Sequence, residues 1–164
     1  MSNVKHVLIC VNHDVVIYNF RKELVQRLIS EGIKVTISCP QGDRLKPLVG
    51  LGADHRHAPI NRHGKNPIAD YRLYKYYLEI MRELKPDVVL SYTIKPNVFA
   101  SMAAKRHKIP YMVTITGLGI ALENPGFTQR LTRFLLRRAL NDANRVFVQN
   151  SQHHRCIQQL LNPD

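Results

Sequence analysis

The chain has 164 residues and a formal net charge of +12, from 24 Lys and Arg against 12 Asp and Glu. This length suits one domain with its own core, and no apolar run approaches the roughly 20 residues that span a bilayer. The charge predicts an anionic partner, either nucleic acid, a membrane surface or a phosphorylated ligand, without choosing among them. The cysteines show no CxxC or disulfide spacing and are expected to be reduced, in a cytosolic protein.

Apolar runs of strand length alternate along the chain with segments of helix length, the pattern of βαβ units around a parallel sheet. This alternation predicts an α/β fold, a Rossmann-like doubly wound parallel sheet in the strand order 3-2-1-4-5-6 with helices on both faces. The strands are predicted at Val4–Val11, Ile33–Ser38, Asp54–Ala58, Asp87–Tyr92, Tyr111–Thr116 and Arg145–Gln149.

Helical spacing of apolar residues places the helices between these strands. The first is predicted to start at Asn19 as N-cap, to end at Gly32 and to bury Phe20. The other helices are predicted at Pro67–Lys85, Asn97–His107, Thr128–Ala143 and Gln152–Leu161. We find no repeat, linker or low-complexity tract, so residues 1–164 are interpreted as one domain.

The loops beyond the carboxyl ends of the strands are where such a sheet binds ligands. The loop after the first strand has no glycine, which argues against NAD or FAD bound in the usual manner. It offers Asn12, Asp14 and Asn19, followed by Arg21, and these polar groups suit a hydroxyl-rich ligand. The alternative is local: Asn19 caps the helix and Asp14 shapes a turn.

Two further loops carry candidate residues. After the fourth strand, "SYTIKPN" places Tyr92 at the strand end and Lys95 at a helix start, where exposed N–H groups favour an anion. A solvated lysine in a turn is the alternative. After the fifth strand, "TITGLG" brings Gly117 and Gly119, which allow backbone conformations or close approaches that a Cβ forbids.

The segment "GFTQRLTRFLLRRAL" predicts a helix with an inward stripe and a basic flank. The stripe comprises Phe127, Leu131, Phe134 and Leu135, and Arg138 falls on this apolar side. The flank of Arg130, Arg133 and Arg137 could rest on anionic lipid headgroups, or could be a solvated helix face.

Histidines were considered as metal ligands. His55 and His57 share one face of a strand, with His63 nearby. No Cys, Asp or Glu completes a recognisable set, so no metal site is predicted. His153 and His154 are expected at the surface.

Three stretches resemble the amino-terminal half of bacterial family 4 glycosyltransferases of the GT-B fold, particularly those that build capsule, O-antigen or other lipid-linked saccharides. They are "VIYNFRKELVQRLISEGIKVTISCP", "LKPDVVLSYTIKPNVFASMAAKRHKIPYMVTITGLG" and "ANRVFVQN". The resemblance implies an acceptor-binding domain that faces a carboxy-terminal, nucleotide-sugar-binding domain across a cleft. That second domain is expected to be absent from this chain, which would then be inactive alone and contain no cofactor.

The resemblance also implies roles for individual residues. A lipid-linked saccharide acceptor would be held by Asn12, Asp14, Asn19, Arg21, Tyr92 and Lys95, and the interdomain cleft lined by Thr116, Gly117, Gly119 and Asn150. Many relatives carry a histidine where this chain has Thr116, so no catalytic residue is assigned. The protein is expected at the inner face of the bacterial cytoplasmic membrane, as a peripheral protein.

Two alternatives remain open from the sequence. One is a small, basic module that binds nucleotides or nucleic acid, although no helix-turn-helix, RRM or zinc pattern supports it. The other is a membrane-associated subunit of a split transferase, whose donor-binding half is a separate chain.

Overall fold

The computed structural model describes residues 4–61, 66–117 and 127–161. Six parallel strands form one sheet in the order β3-β2-β1-β4-β5-β6. The strands are β1 His6–Cys10, β2 Lys34–Cys39, β3 Asp54–His57, β4 Val88–Tyr92, β5 Tyr111–Ile115 and β6 Arg145–Val148. The predicted fold class and strand order are therefore confirmed, with strand ends within two residues of the predicted ones.

Helices connect these strands on both sides of the sheet. They are α1 Asp14–Ser30, α2 Lys46–Gly50 after a short 3₁₀ turn at Asp43–Leu45, α3 Pro67–Leu84, α4 Ile94–His107, α5 Phe127–Asn141 and α6 Ser151–Leu161. The α1 and α2 side closes one apolar layer, which includes Ile9, Ile17 and Leu48. Helices α3 to α6 close the other, which includes Leu8, Tyr77 and Leu136.

The N-cap of α1 lies six residues before the predicted one. The His13 side chain caps this helix by accepting the Val15 N–H at its Nδ1, and Asp14 supplies an acidic residue in the first turn. Asn19 therefore lies inside the helix, exposed, and is not its N-cap. Phe20, predicted to be buried, is 63% exposed, because the face of α1 that packs on the sheet is the one that carries Ile17 and Val25.

The ends of α3 match the sequence signals. Asn66 caps it by accepting the N–H groups of Ile68 and Ala69, and Pro67 is its first residue. The helix ends at Lys85, which takes a left-handed conformation with φ 46° just before Pro86. Helix α4 begins at Ile94, three residues before the predicted start.

Candidate functional site

Polar segments from four neighbouring strands meet at one edge of the sheet. Because β1, β4, β5 and β6 are adjacent and parallel, the residues that follow them share the carboxyl edge. We call this edge, formed by residues 12–14, 92–97, 116–117 and 150, the carboxyl rim. The rim contains Asn12 and Tyr92, predicted to bind the acceptor, and Gly117 and Asn150, predicted to line the interdomain cleft.

Arg21 and Tyr92 are in direct contact across the rim. The Arg21 guanidinium lies over the Tyr92 ring, 4.7 Å from its centroid, although the two residues come from α1 and β4. Tyr92 is only 4% exposed. Burial raises the pKa of its phenol while Arg21 lowers it in part, so Tyr92 stays neutral near pH 7. The ring fixes a cation beside the start of α4.

Asp14 connects the rim to the loop after β2. Its carboxylate is buried and accepts the Arg44 backbone N–H at Oδ2, 3.0 Å away, while Oδ1 lies 2.7 Å from His13 Nδ1. A Cβ built on Gly42 would lie 2.0 Å from Asp14 Oδ2, so only glycine leaves room for this carboxylate. The predicted acceptor residue Asp14 therefore also holds two loops together.

Lys95 is paired with a carboxylate instead of standing free in solvent. Its Nζ lies 2.6 Å from Asp70 Oδ1 on α3, with side-chain exposures of 18% and 28%. The alternative of a solvated lysine is therefore wrong. Because Asp70 offsets much of its charge, Lys95 is better suited to fixing the start of α4 than to attracting an anion over a distance.

The backbone of Thr93 is strained at the centre of the rim. Its φ of 70° and ψ of 157° fall in a region that is essentially restricted to glycine, and threonine is β-branched. Its hydroxyl donates to the Tyr92 carbonyl and does not cap α4. Helix α4 therefore begins without the side-chain cap that a threonine at this position can provide.

Two asparagines contribute buried amide oxygens to the rim. Asn97 Nδ2 donates to the Thr114 carbonyl at 3.0 Å, while its Oδ1 and that of Asn12 have no hydrogen-bond partner among the described residues. Oδ1 atoms of this kind can accept hydroxyl protons of a ligand. Sequence reasoning missed Asn97 as a site residue; its position, three residues after the helix start in "TIKPN", was the available signal.

The remaining predicted cleft residues are only partly described. Thr116 follows β5 half-buried, and Asn150 caps α6 by accepting the His153 N–H at 2.8 Å. Gly117 has no positive φ, and a Cβ there would meet nothing within 4 Å in the described chain. The structure therefore gives no steric reason for glycine at 117. Gly119 lies outside the described residues.

The buried face of α5 overlaps the predicted one only at Leu135, which is half-buried against the core. Leu136, Ala139 and Leu140 are buried, whereas Leu131 is 45% and Phe134 is 61% exposed. The helix is apolar on two sides, and its packing against α4 selects the side that sequence spacing did not. The side chain of Phe127 lies outside the described residues.

The outer face of α5 is consequently both apolar and basic. Arg130 and Arg133 are exposed and Arg137 is half-buried. Arg138, one turn from Phe134, is exposed on the same side. Among the described residues, no helix is long and apolar enough to cross a membrane.

The histidines and cysteines show no sign of a metal centre within the described ranges. His55 Nε2 contacts the Cys39 carbonyl and His57 Nδ1 accepts the Gln41 N–H, so both serve the backbone. All three cysteines are free thiols. Burial raises the pKa of the Cys39 thiol to about 12, which makes it a poor nucleophile.

Comparison with known proteins agrees with this architecture. Residues 19–164 match the family model described as "Glycosyl transferase 4-like domain". The N,N'-diacetylbacillosaminyl-diphospho-undecaprenol alpha-1,3-N-acetylgalactosaminyltransferase of Campylobacter jejuni is 30% identical over 121 residues, which cover 73% of this chain and 32% of that enzyme. The chain thus spans about a third of the length of this curated relative.

Solved structures share the fold at low sequence identity. MurG of Acinetobacter baumannii superposes with a TM-score of 0.61 at 18% identity, covering 90% of this chain and 41% of MurG. A UDP-N-acetylglucosamine 2-epimerase gives a TM-score of 0.71 at 17% identity, covering 96% of this chain and 45% of the epimerase. The family match and the shared sheet confirm the resemblance seen in the sequence. The chain belongs to the glycosyl transferase 4-like family.

Proposed function

We propose that this chain is the acceptor-binding half of a glycosyltransferase that moves a sugar from a nucleotide sugar to a lipid-linked saccharide. The observation that carries the proposal is the carboxyl rim, which brings together a fixed cation, the start of α4 and two buried amide oxygens that have no hydrogen-bond partner among the described residues. The named activity of the Campylobacter relative, which acts on a diphospho-undecaprenol-linked substrate, supports this choice of acceptor.

Each part of the rim suits one part of such an acceptor. Arg21, held over Tyr92, provides positive charge for a diphosphate, and the positive end of the α4 dipole lies beside it. The Oδ1 atoms of Asn12 and Asn97 can accept protons from sugar hydroxyls. The Lys95–Asp70 pair orients the start of α4. No residue of this chain is assigned to the chemical step.

The acceptor site can be tested by isothermal titration with a sugar linked to a short prenyl chain through a diphosphate. Arg21→Ala removes the fixed cation, and we expect affinity to fall about tenfold, because a hydrogen bond to a charged group contributes about 1.5–3 kcal/mol. Arg27→Ala is the matched control, since Arg27 is exposed on the same helix and pairs with Glu31. Equal affinities in the two variants would overturn the acceptor site.

We further propose that the donor nucleotide sugar binds a part of the protein that this chain does not contain. The chain alone is then expected to bind acceptor without transferring sugar, whereas a polypeptide of the relative's full length transfers it. Sugar transfer by the 164-residue chain alone, measured with a radiolabelled nucleotide sugar, would contradict this division of labour. A role in capsular or other surface polysaccharide synthesis belongs to the same proposal.

The outer face of α5 supports a peripheral contact with the inner face of the cytoplasmic membrane. Exposed Leu131 and Phe134 beside Arg130 and Arg133 combine apolar area with positive charge, as interfacial helices do. Sedimentation with phosphatidylglycerol vesicles tests this contact. Phe134→Ser should weaken the binding severalfold, whereas Phe20→Ser, which removes an equally exposed ring from α1, should not.

A further inference from the structure

A basic pocket lies at the opposite edge of the sheet from the carboxyl rim. It has a volume of about 370 Å³ and opens between α3, α4 and α5, where α4 ends and β5 begins. Lys108 and Tyr111, which line it, stand at the amino end of β5, whereas the rim starts after its carboxyl end. A five-residue strand separates the two sites by roughly 15 Å. The pocket is therefore not part of the acceptor site.

Four cationic side chains converge on this pocket: Lys105, Arg106, Lys108 and Arg138. Lys105 Nζ pairs with Asp142, a surface contact. No carboxylate within the described ranges forms an ion pair with any of the other three. Like charges around one concavity repel each other, and a bound anion would relieve this repulsion.

The walls of the pocket add hydrogen-bonding groups to this charge. Ser101 lines it, and the buried Oγ of Ser101 has no hydrogen-bond partner among the described residues. The Tyr111 hydroxyl, by contrast, is already used, since it donates to the Ala139 carbonyl at 2.7 Å. The two guanidinium groups, of Arg106 and Arg138, can each donate two parallel hydrogen bonds to a tetrahedral oxyanion.

We propose that this pocket is a second binding site, specific for a phosphate group. Its ligand is a phosphate monoester, either a soluble one or the headgroup of a membrane lipid. A lipid headgroup fits the local surroundings, because Phe134 is exposed one helical turn from Arg138 and would contact the apolar part of the lipid. A soluble phosphate monoester needs only the charged groups of the pocket. Guanidinium and ammonium groups around a cavity of this size match the charge and oxygen geometry of phosphate.

The test compares two double variants of the chain that remove the same charge. Arg106→Gln/Lys108→Gln empties the pocket of two cations, and Arg27→Gln/Lys46→Gln removes two from the other face of the sheet. All four positions are exposed, so both proteins should fold. The probes are glycerol 3-phosphate, followed by titration calorimetry, and phosphatidylcholine vesicles with or without phosphatidic acid, followed by sedimentation.

We expect at least one phosphate probe to bind about tenfold more weakly to the pocket variant than to the control, because two charge-assisted contacts are lost. Loss of glycerol phosphate binding identifies a soluble ligand, and a loss confined to phosphatidic acid vesicles identifies a lipid. Failure of both probes, or an equal loss in the two variants, would overturn the site. The site would also be overturned if the pocket variant lost only affinity for duplex DNA, measured as a third probe. Acceptor binding at the rim is unaffected in every case.

Discussion

Replacing Thr93 with glycine should make the protein more stable and should weaken the binding of the acceptor at the carboxyl rim. Thr93 holds φ 70° and ψ 157°, a conformation that glycine adopts freely and a β-branched residue does not. The segments on either side enforce it. Tyr92 is paired with Thr114 in the sheet, and the Thr93 carbonyl accepts the Asn97 N–H at 2.9 Å in the first turn of α4.

The size of the effect follows from two opposing terms. Backbone strain of this kind costs about 1–3 kcal/mol, which glycine relieves. Glycine loses more conformational entropy on folding, which returns about 0.5–1 kcal/mol. The expected net gain in the free energy of unfolding is about 1 kcal/mol, which raises Tm by about 2–4 °C for a chain of this length.

Calorimetry and guanidinium denaturation of three variants measure this gain. Thr93→Val keeps the β-branch and removes the hydroxyl, so it should show no increase in stability. Lys85→Gly relieves a left-handed residue far from the rim and should leave acceptor affinity unchanged. Thr93→Gly should weaken acceptor binding severalfold, because the segment is then free to relax. A loss of more than 1 kcal/mol in Thr93→Gly would refute the assignment of strain.

Three other predictions concern the rest of the fold. Gly42→Ala should lower the free energy of unfolding by about 1–3 kcal/mol, because the new Cβ displaces the buried Asp14 carboxylate. A free energy of unfolding that is unchanged in urea denaturation would contradict that contact. Leu136→Ala should lower the free energy of unfolding by about 2–5 kcal/mol, and Phe134→Ala by under about 0.5 kcal/mol. A larger loss for Phe134→Ala in thermal melts would show that the predicted face of α5 is the buried one. Burial and the charge of a neighbouring lysine lower the pKa of His6 below 6.5 in the folded chain. As pH drops below 6.5, His6 is therefore protonated in the unfolded chain before it is in the folded chain, and stability falls. His6→Gln should flatten that fall in pH-dependent denaturation, and an unchanged slope would rule His6 out as its source.

The sheet could be predicted because a parallel strand covered on both faces is a continuous apolar run. Strand β1 and strand β5 show such runs, and Pro110 stands directly before β5. Helix boundaries were harder. Histidine is not a favoured N-cap, so nothing in the local sequence marked His13 as the start of α1.

The faces of α5 show where the pattern itself is insufficient. Apolar residues occupy both sides of this helix, at Leu131 and Phe134 on one and at Leu136 and Leu140 on the other. Helical spacing accommodates either side as the core, and only contact with α4 decides between them. Contacts between distant segments could not be predicted either, since no local signal links Lys95 to Asp70.

The carboxyl rim contains features that lower the stability of the folded chain. Two buried amide oxygens of the rim, Oδ1 of Asn12 and Oδ1 of Asn97, have no hydrogen-bond partner among the described residues, and the backbone of Thr93 is strained. Each unpaired group costs about 1–3 kcal/mol that a hydrogen-bonding ligand would recover on binding. In the described part of the chain, unpaired polar atoms also occur away from the rim, at Tyr77 and Ser101, but there they do not adjoin a strained backbone and a fixed cation as they do at the rim. Local rules broken together at one site are typical of functional sites, which supports the proposal that the acceptor binds at the rim.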